Sequence, residues 1–177
     1  MTQSDSNILV RKMLESDILD VARIHQLAFP RQTFSKEWIE CAHKSFPMSQ
    51  CFVAEDADGI VGFVMWTEKS GFRKEAFVEL VQGGVDPDRQ GTGICTLLVS
   101  QSMRLLAAKI AERGAVLKNI IVNTRADNEF ALRICKNVLG AKEVAVISGI
   151  FTADEVYLVA RDVDVLLETG AIALSSA

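Results

Sequence analysis

The stretch 85–98, reading VDPDRQGTGICTLL, constrains the fold of this chain more than any other. An apolar, strand-like run, 76–85, leads into it, and a helical pattern, 92–113, leads out. Between them lie Pro87, Gly91 and Gly93. Glycine permits positive φ and lets a ligand approach bare N–H groups. The first N–H groups of a helix lack partners within it and carry partial positive charge. A glycine turn that opens a helix therefore suits phosphate oxygens. Two phosphate loops of other folds fit poorly. No Lys-Ser/Thr pair follows the glycines, which disfavours a Walker-type loop. Thr96 stands where a dinucleotide fold would place its third glycine, and the loop lies mid-chain rather than in a first βαβ unit.

The rest of the chain supplies a mixed frame. Residues 8–12 read as a strand. Ser16 offers a cap for a helix over 17–29, whose apolar residues recur at helical spacing until Pro30. Ser35 offers a cap for a second helix, 36–45, closed by Pro47. Runs 51–54 and 60–66 read as strands joined by an acidic turn ending in Gly59. The run 76–85 is apolar on both faces apart from Glu79 and Gln82, as a central strand would be. Gly114 suits the C′ position of the 92–113 helix. A strand over 116–122, a helix over 128–139 ending at Gly140, and strands over 143–148 and 155–160 complete the pattern. The order β-α-α-β-β-β-α-β-α-β-β predicts an α/β (α+β) fold. Its sheet is curved, mixed and mostly antiparallel, flanked by helices, with parallel pairing across the 92–113 crossover.

Length and charge narrow the partners. The 177 residues suit one domain, expected over 1–165, with a frayed tail over 166–177. A net charge of −4 without a dense basic run argues against nucleic acid. Cys41, Cys51, Cys95 and Cys135 form no C-x-x-C pair, residues 1–7 lack an apolar leader, and the apolar runs are too short to span a bilayer. A reduced cytoplasmic setting follows as an expectation, with no membrane partner. His25 sits on an apolar helix face and reads as core. His43 and Cys41 lack further ligands at usable spacing, so no metal site is expected. Trp38, Phe46 and Met48 could line an acceptor pocket, although core packing is the commoner fate of such residues.

Gln90-x-x-Gly93-x-Cys95 resembles the Gln/Arg-x-x-Gly-x-Gly/Ala motif of the GNAT superfamily of acyl-CoA N-acyltransferases, with Cys95 in place of the final Gly or Ala. The segment 128–135 followed by Gly140-Ala141 resembles the family's second signature, Asn-x-x-Ala-x-x-x-Tyr then Gly-Phe. Cys135 replaces the tyrosine, and the step to the glycine is one residue longer. The resemblance covers about 8–160. It implies a central-strand splay and acetyl-CoA as co-substrate, with its pyrophosphate on the backbone of Gln90, Gly91, Thr92, Gly93, Ile94 and Cys95.

The resemblance implies the remaining roles as well. A bulge at Gly83 and Gly84 would admit the pantetheine arm, and N–H groups near Gly84 and Val85 would face the thioester carbonyl. Asn128 would contact CoA in addition to capping its helix, and Asn123 would meet the pantetheine amides. Glu79 has Phe77 and Val81 as same-face neighbours. Apolar surroundings suit a carboxylate to take a proton near neutral pH; a partner Lys or Arg would make it structural instead. The expected activity is transfer of an acetyl group to a primary amine of a small molecule or protein. Two other readings stay open: a non-catalytic acyl-CoA sensor or scaffold, and a structural partner without a CoA site. Homodimerisation is open too.

Overall fold

The computed structural model describes residues 8–165 and 172–174. The strands are β1 (Leu9–Lys12), β2 (Ser49–Asp56), β3 (Gly59–Lys69), β4 (Glu75–Val85), β5 (Val116–Arg125), β6 (Lys142–Ile147), β7 (Glu155–Ala160), β8 (Val163–Val165) and β9 (Ile172–Leu174). The α-helices are α1 (Ile18–Ala28), α2 (Ser35–Lys44), α3 (Ile94–Ala111) and α4 (Glu129–Leu139). Seven strands form one sheet in the order β1-β2-β3-β4-β5-β7-β6. β1 runs antiparallel to β2, β7 antiparallel to both β5 and β6, and β4 parallel to β5. The parallel pair is the one joined by the long α3 crossover, as two adjacent parallel strands require. This is the mixed, mostly antiparallel sheet the order of elements predicts.

By its contacts the chain divides into two compact units, and β3, β4 and α3 run from one into the other. The first comprises Met1–Met65 and Gln82–Ser102. Its core gathers Val21, Ile24, Ile39, Val53, Ala54, Phe63 and Leu98, all at most 1% exposed. α1 contributes Ile18, Val21, Ala22, Ile24 and His25, which share one helical face. The second comprises Trp66–Val81 and Met103–Ala177. Trp66, Val78, Met103, Ile110, Ile120, Leu139 and Leu158 are buried there. α4 ends as its sequence predicts, with Asn128 Oδ1 accepting from the Ala131 N–H at its start and Gly140 at φ +64° at its end.

Several local expectations are corrected. Ser16 lies inside a 3₁₀ turn, Glu15–Asp17, and caps nothing; Asp17 instead accepts from the Leu14 N–H and pairs with Arg11. Ser35 is the first residue of α2 and its hydroxyl turns inward, while Phe34 occupies the cap position at φ +56°. Trp38, Phe46 and Met48 are not core: they are 47%, 40% and 48% exposed. Among the described α2 residues only Ser35 and Ile39 are buried, so the helix hides one narrow stripe. By length and hydropathy α3 would reach across a bilayer, contrary to expectation, yet Leu98, Val99, Met103, Leu106 and Ile110 on it are buried within the protein. Within the expected tail, Ile172–Leu174 pairs with Val163–Val165. The remainder of that tail, and the leader expectation for 1–7, lie outside the described residues.

Candidate functional site

The glycine turn has the geometry its residues demand. Gly91 and Gly93 both take positive φ, +76° and +86°, a region that costs any residue with a Cβ. A Cβ built on either would meet no atom within 4 Å, so nothing in the protein fills the space beside them. Side chains brace the turn from outside. Asp86 Oδ1 accepts from the Asp88 N–H and starts a short 3₁₀ turn, Pro87–Arg89. Arg23 donates to Asp86 Oδ2 at 2.7 Å, and Arg89 pairs with Asp58 at 2.6 Å and Asp56 at 3.1 Å. The hydrogen bond from Arg23 holds the Asp86 carboxyl below the usual carboxylate range. Gln90 donates to the Val85 carbonyl and Thr92 to the Arg89 carbonyl, so both side chains turn back onto the loop. The chain then enters α3 with the Leu97 N–H bonded to the Gly93 carbonyl. The N–H groups of Ile94, Cys95 and Thr96 begin the helix without partners inside it. Burial pushes the Cys95 thiol up, away from a reactive thiolate.

Gly83 and Gly84 close β4 by permitting close approach rather than by unusual dihedrals. A Cβ at Gly84 would lie 3.0 Å from both Ala28 Cβ and Phe63 Cε1, and one at Gly83 3.3 Å from the Phe63 carbonyl oxygen. The β4–β5 register shift falls between Ala76 and Phe77 instead of at these glycines. The paired residues run from Glu75↔Val116 to Glu79↔Ile121, while the strands themselves continue to Val85 and Arg125. Beside the glycines, Gln82 anchors a polar cluster. Its Oε1 accepts from Trp38 Nε1 at 2.8 Å and lies 3.2 Å from His25 Nε2. Indole N–H is donor only, so that Gln82 atom is the oxygen and His25 carries its proton on Nε2. His25 Nδ1 lies 2.9 Å from Ser35 Oγ. His25 is fully buried, and burial lowers its pKa, so it is core, as its place on α1 predicts.

Glu79 lies in the second unit and is not surrounded by apolar groups alone. Lys69 Nζ approaches its carboxylate at 2.8 Å, and the Glu79 side chain retains 22% exposure. Cross-strand pairing lays out the sheet face it shares. Glu79 is level with Ile121 and Val159; Phe77 is level with Asn119 in the row before; Asn123 pairs with Tyr157 in the row after. Asn123 Nδ2 donates to Glu155 Oε2 at 3.2 Å, so its amide is already engaged. Cys135, at the tyrosine position of the motif, is 2% exposed. Sequence reasoning missed two residues of this face, Lys69 and Tyr157. Tyr157 is the one tyrosine of the chain, and its place on the last predicted strand, 155–160, was the available signal. Among the described residues no cluster of His, Cys, Asp or Glu could hold a metal ion.

Residues 47–133 match a family model described as "Acetyltransferase (GNAT) domain". No curated protein sequence matches the chain. Among solved structures, Arabidopsis thaliana NAA60 in complex with acetyl-CoA superposes with a TM-score of 0.71 at 18% identity, over 86% of this chain and 97% of that one. The ribosomal-protein-S18-alanine N-acetyltransferase from Escherichia coli gives 0.68 at 18% identity, over 88% and 94%. Ard1 from Thermoplasma volcanium gives 0.68 at 19%, over 86% and 95%. The mixed sheet with its parallel β4–β5 pair, the glycine turn opening α3 and these matches agree: residues 47–133 match the GNAT acetyltransferase domain, and the chain has the GNAT fold.

Proposed function

We propose that the protein transfers an acetyl group from acetyl-CoA to a primary amine. The observation that carries this reading is the turn of Gly91 and Gly93 at positive φ, open on its outer side and leading directly into α3. Unpartnered N–H groups at a helix start, next to glycines without Cβ atoms, fit a pyrophosphate. The structures of similar fold include one with acetyl-CoA and others named as N-acetyltransferases of a ribosomal protein and of spermidine.

In this reading the backbone of Gln90, Gly91, Thr92, Gly93, Ile94 and Cys95 holds the CoA phosphates. N–H groups at Gly84 and Val85 face the thioester oxygen, where a developing oxyanion gains most from fixed donors. Gly83 keeps the strand slim for the pantetheine arm. Asn128 and Asn123 contact CoA, the latter after exchanging its bond to Glu155. The amine nitrogen attacks the thioester carbon, the C–S bond breaks, and the departing CoA thiolate takes a proton from water or from the substrate nitrogen. Glu79 takes the proton from the amine, directly or through water, after releasing Lys69. The setting is cytoplasmic, with the cysteines reduced, and residues 1–165 act as one catalytic domain.

The second reading, an acyl-CoA sensor without turnover, draws support from Cys135 at the tyrosine position and from the Lys69 pair on Glu79. An amine-panel assay that follows free CoA thiol, run beside calorimetry with acetyl-CoA, separates the two. Transfer to any amine supports the enzyme. Tight acetyl-CoA binding with no transfer across the panel favours the sensor, and no binding sinks both.

A further inference from the structure

An open pocket of about 750 Å³ lies in the second unit, beside the start of β4. Three cationic residues line it, Arg73, Lys74 and Arg161, against one carboxylate, Glu75. Among the described residues neither Lys74 nor Arg161 has an ion-pair partner. The loop that carries the first two is held in place. Arg73 Nε donates to the Ser70 carbonyl at 3.0 Å, and the Arg113 guanidinium both pairs with Glu68 and stacks over Phe72, 5.0 Å from the ring centroid. The pocket wall is therefore set before any ligand arrives, which lowers the ordering cost of binding.

The floor of the pocket is the sheet face that carries Glu79. Phe77 and Asn119, which line it, form one cross-strand row. Val159, which also lines it, is level with Glu79 through Ile121. Paired residues on neighbouring strands project to the same face, and rows on one face are roughly 7 Å apart. The cations thus stand at one end of an apolar floor, and Glu79 stands about one row beyond its middle. A guanidinium and an ammonium without partners favour a carboxylate or a phosphate.

We propose that this pocket holds the anionic end of the amine acceptor, so that the substrate is an amine carrying a carboxylate or phosphate roughly 7–13 Å away, one to two rows along the face. The inference rests on the role of Glu79 in the proposed transferase. The anion meets Lys74 and Arg161, the connecting carbons lie on Phe77 and Val159, and the amine reaches Glu79. A plain diamine would set a second cation against the three that line the pocket and is disfavoured.

Calorimetry on the full chain, without acetyl-CoA, tests the pocket by itself. The probes are 6-aminohexanoate for a carboxylate, 4-aminobutyl phosphate for a phosphate, and 1,6-diaminohexane as the cation-only counterpart. One or both amino anions should bind, and the better of them names the source. The diamine should bind at least about tenfold more weakly. Lys74→Ala with Arg161→Ala should weaken the amino anion by about tenfold or more, the loss expected when charge-assisted hydrogen bonds are removed. Glu75→Gln, an exposed and mild change, should tighten it. Diamine binding as strong as the amino anion's, or affinity unmoved by all three substitutions, overturns the proposal. Steady-state assays then separate this inference from the transferase reading. Amino-anion binding without acetylation keeps the pocket and sinks the transferase role. Acetylation that ignores the acceptor's charge keeps the transferase and sinks the pocket.

Discussion

The glycine turn at 90–95 and the sheet face around Glu79 are built in opposite ways. The turn offers backbone. Its nearby side chains are spent on one another: Arg23 on Asp86, Arg89 on Asp58, Thr92 and Gln90 on the loop's own carbonyls. The face offers side chains, assembled from four strands, β3, β4, β5 and β7. A backbone site depends on dihedrals that few residues can adopt, so its sequence is narrow. A side-chain site depends on which residues meet, so its sequence is permissive. The first therefore resists substitution at the glycines and the second at the functional groups.

The largest effect should come from the face. Glu79→Gln keeps the shape and removes the proposed base, and turnover should fall by about 10²–10⁴-fold, the usual range for a general base. The acidic limb of the pH–rate profile should vanish with it. Turnover and profile like those of the unmodified protein would remove Glu79 from the mechanism. Lys69→Ala sharpens the point, because it frees the carboxylate that the ammonium now holds at 2.8 Å.

The turn should answer differently. Gly93→Val places a β-branched residue at φ +86°. Its Cβ meets nothing within 4 Å, so the fold should survive while the loop changes shape. The left-handed region costs a residue with a Cβ about 1–2 kcal/mol or more, and acetyl-CoA affinity should drop by roughly tenfold or beyond. Calorimetry on a variant of unchanged circular dichroism would read this directly; full affinity would mean the phosphates bind elsewhere. Gly84→Ala gives the contrast within the same unit. Here the new methyl would lie 3.0 Å from Ala28 Cβ and Phe63 Cε1, so stability should fall by about 1–3 kcal/mol through overpacking. A urea midpoint that does not move would show that α1 yields at no cost.

What the sequence revealed follows the same division. Gly91, Gly93, Asn128 and Gly140 were legible because each occupies a conformation or a cap that few residue types serve. The central place of β4 was legible from its apolar run. Lys69 against Glu79 was not, because the pairing depends on which strands become neighbours and on where Lys69 projects. The exposure of Trp38 was not either. A tryptophan on an amphipathic helix reads as core, yet its indole N–H is drawn to Gln82, forty-four residues away. The inward turn of Ser35 has the same cause, since its partners are His25 and Gln26 on α1.

Cys135 belongs to neither kind of site. At 2% exposure on α4 it sits where a thiol usually acts as a small apolar residue. Cys135→Ala should keep turnover within about tenfold, short of the loss of a general acid. A folded variant that binds acetyl-CoA normally but turns over a hundredfold more slowly would restore the acid role to the thiol.

The smallest effect should come from His25, whose Nε2 lies 3.2 Å from the Gln82 amide oxygen just before the paired glycines. Burial lowers its pKa, against the weaker opposing pull of hydrogen bonds from Gln82 and Gln32. In the unfolded chain the imidazole titrates near about 6.5. Above that pH both states hold it neutral, and its burial carries no charge penalty. As pH falls through about 6.5, the unfolded chain takes up a proton that the folded protein refuses. Stability is then lost at up to about 1.4 kcal/mol per pH unit, until the lowered folded-state pKa is passed. Below that, the folded protein binds the proton too and the loss levels off. A protonated ring would present a second N–H toward Ser35 Oγ, which can accept it, so the charge itself, not a lost bond, carries the penalty. His25→Gln should flatten this segment of the stability–pH curve while lowering stability at pH 8. Urea titrations of both proteins from pH 8 to pH 5 would show it, and parallel curves below pH 6.5 would assign the acid sensitivity to other groups.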